Sequence, residues 1–389
     1  MTSQTIVLTL FLIFAGASVL STAALYTRQS LLVAYMVLGM IFGPWGFGFI
    51  SDATSVSEVG DVGIIFLLFL LGLHLAPQNL FSMLKKVSWI ALISSLVFGA
   101  LGFVVMLIFH YTVMEGFVVA LAVMFSSTII GLKLLPTTVL HHQHTGELMI
   151  SVLLMQDIIA IVVLLILQAT SGSEISLQHV AVVSLGCPLL IGIAYVFQRF
   201  ILIRLLERFD KVQEYIFMVS IGWCLGMAEL AHFMGLSGEI GAFIAGVAIA
   251  AHPISLYIAE SLKPLRDFFL VMFFFAIGAG FDFSYLHDVL LAASILAALV
   301  MIVKPIVFRL LFIRMNESPS VSWEVGVRLG QCSEFSLLVV YLAASSAVIA
   351  KEVMYLVQAT TIITFIVSCY WVVIKYPTPL ALTDKMRKD

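Results

Sequence analysis

Long apolar stretches, broken by short clusters of glycine, proline and charge, fill this chain from end to end. Each is close to the roughly 20 residues an α-helix needs to cross the hydrocarbon core of a bilayer. Together they predict thirteen spans, at 5–25, 30–48, 57–75, 86–109, 113–134, 146–170, 178–203, 212–233, 237–257, 264–282, 286–309, 322–348 and 352–375. Only helices or closed barrels satisfy their backbone in lipid, and runs this long are helical. The fold class expected is therefore an all-α integral membrane protein. Composition agrees: the 389 residues are 62% hydrophobic and 11% charged, where an ordinary soluble domain has about 25% charged residues. A cytosolic enzyme is excluded. The first run lacks a basic flank and a clear small-residue cleavage site, so it is expected to be a retained helix, 1–29.

Charge adds orientation. The first, third, fifth, seventh, ninth and eleventh connections carry Arg28; Lys85 and Lys86; Lys133; Arg199, Arg204, Arg208 and Lys211; Lys263 and Arg266; and Arg309 and Arg314. The tail 376–389 adds more bases, whereas the even connections hold only Lys351. By the positive-inside bias, the N-terminus lies outside and the C-terminus in the cytoplasm. A net charge of −3 without a long basic run argues against nucleic-acid binding. Cys187, Cys224, Cys332 and Cys369 sit in apolar stretches without metal-ligand or disulfide-framework spacing. No cofactor or structural metal is called for.

A charge in hydrocarbon is costly, so an ionisable residue there is paired, hydrated or functional. Asp157, preceded by Gln156, lies in the middle of the sixth span and is too short to reach an interface. Lys304 lies in the eleventh span, directly before Pro305; its long stem also permits snorkelling to the cytoplasmic side. Arg328 and Glu334 fall in the twelfth, six positions apart, where they fit a structural pair on adjacent turns. Ser126, Ser127 and Thr128, followed by Gly131, interrupt the fifth span, and Gly330, Gln331, Cys332 and Ser333 interrupt the twelfth. Two such polar breaks are the mark of discontinuous helices that meet at the midplane and contact an ion. Residues 30–170 and 237–375 then form two five-helix repeats, joined by linker helices in 171–236, and an odd number of spans makes the repeats inverted. The ladder Gly238, Ala242, Gly246, Ala250 reads as close helix packing. His141, His142 and His144 titrate in the range of a pH sensor, but read more simply as a solvated loop.

These residues resemble, over nearly the full chain, the second large group of monovalent cation:proton antiporters, which includes the Kef-type potassium efflux systems and bacterial sodium/proton exchangers. The resemblance rests on YMVLGMIFGPWGFGFI, VSEVGDVGIIFLLFLLGLHL, MFSSTIIGLKLL, LMQDIIAI, GLSGEIGAFIAGVAIA, PLRDFFLVMFFFAIGAGFD and RLGQCSEFSLLV, in that order. It implies a thirteen-helix homodimer in the bacterial inner membrane, with a dimerisation domain and a six-helix core containing two crossed, broken helices. It further implies Asp157 as the ion-binding carboxylate, Gln156 as the position that distinguishes subgroups, Ser126 to Thr128 as the first crossover, Lys304 as the core lysine, and Arg328 with Glu334 at the second crossover. The Gln156–Asp157 pair is similar to that of Kef-type potassium/proton antiporters. His74 stands where the family usually has an acid, and Ser333 replaces the glycine of a GEF sequence. The Kef-type nucleotide-binding domain is not expected in this stretch.

The mechanism expected is alternating access around Asp157, which holds either a proton or a potassium or sodium ion, helped by Gln156, Ser127, Thr128 and backbone carbonyls. One carboxylate carrying either partner predicts electroneutral exchange. Lys304 would stabilise the ion-free carboxylate. A sodium-coupled solute symporter can share the architecture, but would call for a roomier polar cavity. A channel filter and an intramembrane catalytic constellation are both missing from the sequence.

Overall fold

The computed structural model describes residues 3–27, 29–50, 53–74, 77–134, 144–170, 177–209, 211–236 and 238–378. They form the α-helices α1 Ser3–Tyr26, α2 Leu31–Phe42, α3 Ala53–His74, α4 Pro77–Ile108, α5 Val113–Val123, α6 Thr128–Lys133, α7 His144–Thr170 and α8 Leu177–Phe197. After a π-helical turn, Gln198–Leu202, come α9 Ile203–Arg208, α10 Gln213–Phe233, α11 Gly238–Ala250, α12 Ile254–Ala279, α13 Leu286–Arg314, α14 Pro319–Arg328, α15 Glu334–Ser345 and α16 Lys351–Lys375. Among the described residues, six helices are long and apolar enough to cross a membrane unaided: Ile6–Tyr26, Val87–Ile108, Pro188–Arg208, Gln213–Phe233, Phe283–Arg314 and Lys351–Lys375. Two expected spans are instead pairs of short helices. The span at 113–134 is α5 and α6, and that at 322–348 is α14 and α15. The span expected at 264–282 begins earlier, because α12 runs on from Ile254 and takes in Lys263 and Arg266.

The chain divides into two compact units. The first comprises Met1–Phe14, Leu38–Met83 and Gln168–Gly280. Here α3 packs along α11 and α12, and α10 along α11. Glycines set the spacing. A Cβ on Gly246 would lie 2.2 Å from Phe69 O and 2.9 Å from the Cα of Gly72, so the α3 and α11 backbones touch. Gly63 meets Phe269 in the same way, with Phe66 stacked on Phe269 at 5.4 Å. Trp223 on α10 fixes the other side of α11 by donating its indole N–H to Ala245 O at 3.0 Å.

The second unit comprises Ala15–Val37, Leu84–Leu167 and Phe281–Asp389. It repeats one order twice: a long helix, a broken one and a long one, as α4, α5/α6, α7 and then α13, α14/α15, α16. Both units thus draw helices from each of the stretches 30–170 and 237–375. Phe98, Met149, Val152, Phe308, Phe312 and Leu329 form a common apolar core in this unit. Each broken helix is capped where it starts: Thr112 and Glu115 make a capping box for α5, and Ser318 with Pro319 opens α14. In the turn before α5, Tyr111 donates to Glu352 at the start of α16 (3.1 Å), and burial, then the Glu352 carboxylate, hold its phenol above the ordinary value.

The ladder in α11 makes a stability prediction. Gly246→Ala forces two backbones apart and should cost about 1–3 kcal/mol, read as a lower unfolding midpoint in detergent. Gly238→Ala is expected to be tolerated, since a Cβ there comes no closer than 3.6 Å to a neighbour.

Candidate functional site

A helix that stops inside a membrane leaves carbonyls and amides without water, so each needs a partner from the protein. In the second unit the two breaks, at Met124–Ser127 and Leu329–Ser333, meet and supply one another. Ser126 Oγ donates to Leu329 O (2.7 Å), Gln331 Nε2 to Ser127 O (a long 3.4 Å), and Ser336 Oγ to Ala122 O (2.5 Å). The expected crossing of the two broken helices is therefore present. α15 begins at its own cap, in which Phe335 N–H donates to Ser333 Oγ and Ser333 N–H to Ser336 Oγ. The serine that replaces the glycine of a GEF sequence is thus the N-cap of α15.

Lys304 joins the two breaks. It is fully buried on α13, and Nζ donates to Phe125 O (2.5 Å) and Gln331 O (3.1 Å), one carbonyl from each break. The ring of Phe98 lies 5.1 Å from the ammonium. The side chain turns inward, which overturns snorkelling. The ammonium is thereby held by crossover carbonyls. Pro305 follows, and α14 passes close by: a Cβ on Gly326 would meet Pro305 O at 2.6 Å.

Two flanking helices complete the polar network. From α7, the buried amide of Gln156 spans the first break: Oε1 accepts from Ser126 N–H (3.1 Å) and Nε2 reaches Met124 O (3.5 Å). From α16, Thr364 Oγ1 accepts from Cys332 N–H (3.2 Å) and Ser368 Oγ donates to Gln331 Oε1 (2.9 Å). Gln331, Thr364 and Ser368 were not recognised as partners from the sequence. The signal available was a row of hydroxyls, Thr361, Thr364 and Ser368, at helical spacing in the last span. Ser127 Oγ accepts from Ile130 N–H (3.1 Å) and starts α6, and Thr128 is its first residue, half-buried.

Arg328 ends α14, and its ion pair is with Glu324, one turn before it, at 2.9 Å, not with Glu334 as the spacing had suggested. The fork also donates to Leu134 O and Pro377 O, both at 2.9 Å, and lies over the Tyr376 ring. It thereby ties the end of α6 and the segment after α16 to the second broken helix. Glu334, buried, occupies the first position of α15, where an acid complements the helix dipole. Asp157 follows Gln156 on α7; its side chain, like those of His74 and His144, lies outside those described, as do residues His141 and His142 altogether. No cluster of His, Cys, Asp and Glu suited to a metal occurs among the described residues.

Comparison with known proteins agrees with this arrangement. The family model described as sodium/hydrogen exchanger, transmembrane, matches residues 7–374. The glutathione-regulated potassium-efflux system protein KefC of Enterobacter sp. (strain 638) is 29% identical over 359 residues, which is 90% of this chain. The chain spans 57% of that relative's length. The structure of the sodium proton antiporter MjNhaP1 from Methanocaldococcus jannaschii at pH 8 is similar in fold, with a TM-score of 0.68 at 16% identity, covering 94% of this chain and 95% of that one.

Lys304→Met keeps the stem but leaves Phe125 O and Gln331 O unmatched. At about 1–3 kcal/mol for each buried group left without a partner, it should lower the unfolding midpoint in detergent more than Ser126→Ala, which removes one neutral bond. Equal midpoints for Lys304→Met and wild type would contradict this role.

Proposed function

We propose that this chain, which belongs to the sodium/hydrogen exchanger family of multi-pass membrane transporters, exchanges potassium for protons across the membrane by alternating access at Asp157. The observation that carries the reading is the meeting of two broken helices beside the helix bearing Gln156 and Asp157. Most polar groups there are already committed. Gln156 holds the first break together, Lys304 holds both, and Arg328 is paired with Glu324. Asp157, following Gln156 on the same helix, is the acid we assign to the ion.

Competition at one carboxylate supplies the coupling. Ionised, Asp157 binds a dehydrated cation with help from the Ser127 and Thr128 hydroxyls and the Gln156 amide. Protonated, it releases the cation. Either way the carrier leaves with the same charge, so exchange is electroneutral. Membrane depth disfavours a bare carboxylate, so the site travels loaded rather than empty. Lys304, Arg328 and Glu334 neutralise helix ends and keep the crossovers in register while the access side changes. Potassium is favoured over sodium by the likeness to a potassium-efflux protein and by the Gln156–Asp157 pair. The working unit is a homodimer in a bacterial inner membrane, with the N-terminus outside and the C-terminus in the cytoplasm.

Proteoliposomes with an imposed pH gradient and clamped voltage test this. Potassium should collapse the gradient, at a rate independent of the clamped voltage, and Asp157→Asn should reduce the collapse to that of empty vesicles. A response to sodium alone would move the substrate and keep the mechanism, whereas no response to either ion would point to a solute symporter.

A further inference from the structure

A serine inside a membrane helix ordinarily returns its proton to a carbonyl one turn back. Ser94 on α4 does so, donating to Ala91 O at 3.1 Å. Its neighbour Ser95 does not: the residue is 2% exposed, yet its Oγ meets no hydrogen-bonding group among the described residues. Such a hydroxyl destabilises the fold where an alanine would not, so its presence asks for a partner beyond the described residues.

The place it faces follows from its own helix. Ser95, Gly99 and Gly102 lie four and then three residues apart, on one face of α4. Along that face α5 runs antiparallel. Gly102 packs on Val123 and Ala120, and Gly99, one turn back, packs on Ala120 and Met124. Ser95 carries the same face one further turn back, while the facing chain continues from Met124 into Phe125, Ser126 and Ser127, the first break. The ring of Phe98, on the adjoining face of the same turn, lies 5.1 Å from the Lys304 ammonium that holds Phe125 O. The small residues let the two helices close up, and the hydroxyl is what they bring to the crossover.

We infer that Ser95 supplies a ligand oxygen to the monovalent cation bound beside the first crossover. A neutral hydroxyl suits a weakly hydrated ion with several oxygen partners, since it adds coordination without adding charge, and it leaves the one-for-one charge balance at Asp157 unchanged. The inference rests on the antiporter reading, and it adds α4 to the helices that carry the site.

The test uses the full chain, in detergent and in proteoliposomes, with potassium chloride as the probe and choline chloride as the inert control. In choline, Ser95→Ala should unfold no earlier than wild type, because it gives up no bond to the described residues. In vesicles it should raise the KM for potassium about three- to tenfold with kcat little changed, as the loss of one neutral oxygen contact predicts. Ser95→Thr, which keeps the oxygen, should stay within about twofold of wild type, and Ser94→Ala should leave the KM unchanged. An unaltered KM in Ser95→Ala would overturn the assignment alone, as would early unfolding or failure to fold in choline, since either marks a structural bond. A wild type that exchanges neither potassium nor sodium would overturn the antiporter reading, and this assignment with it.

Discussion

A peptide group stranded at membrane depth has no water to turn to, and this requirement organises the second unit of the molecule. Breaking two helices exposes carbonyls and amides that an unbroken span would satisfy by itself. The buried ammonium of Lys304 resolves the largest part of the difficulty by taking one carbonyl from each break. Desolvating an ammonium costs several kcal/mol by itself. Here the same charge that must be satisfied also satisfies one carbonyl of each break. Gln156 from α7 and Thr364 with Ser368 from α16 complete the arrangement from either side.

That economy bears on transport. An amide, an ammonium and a guanidinium bound into fixed contacts form a rigid polar frame, and rigid frames suit a site that must present the same ligands to either side of a membrane. In the proposed cycle only a carboxylate with small hydroxyl neighbours changes state, and the crossovers travel intact. Arg328 extends the frame to the end of α6 and the segment after α16, since its fork also grips Leu134 O and Pro377 O.

Much of the fold was legible because lipid leaves a chain so few options. Span length, the bias of Lys and Arg between alternate connections and two polar interruptions yield a helical transporter with broken helices; the first break, Met124–Ser127, overlaps the expected Ser126–Thr128 but leaves Thr128 in α6, and the second, Leu329–Ser333, takes in the expected Gly330–Ser333. Partnerships were harder to read. Arg328 and Glu334 looked like a pair because spacing along one helix was assumed, but α14 ends at Arg328 and the pattern of neighbours ends with it, so the arginine turns back to Glu324. Gln331 was legible only as part of a break; its contact with Ser368 joins residues 37 positions apart. Helix periodicity reports what lies along one element, whereas both crossovers are held from elements far away in sequence.

The central claim, that one carboxylate holds either a proton or a cation, is tested most directly by counting protons. Purified protein at a pH where Asp157 is protonated, in weakly buffered detergent solution, would be titrated with potassium chloride while proton release is followed. Competition predicts close to one proton released per potassium bound, and none from Asp157→Asn. Potassium binding without proton release, or release that survives in Asp157→Asn, would contradict it.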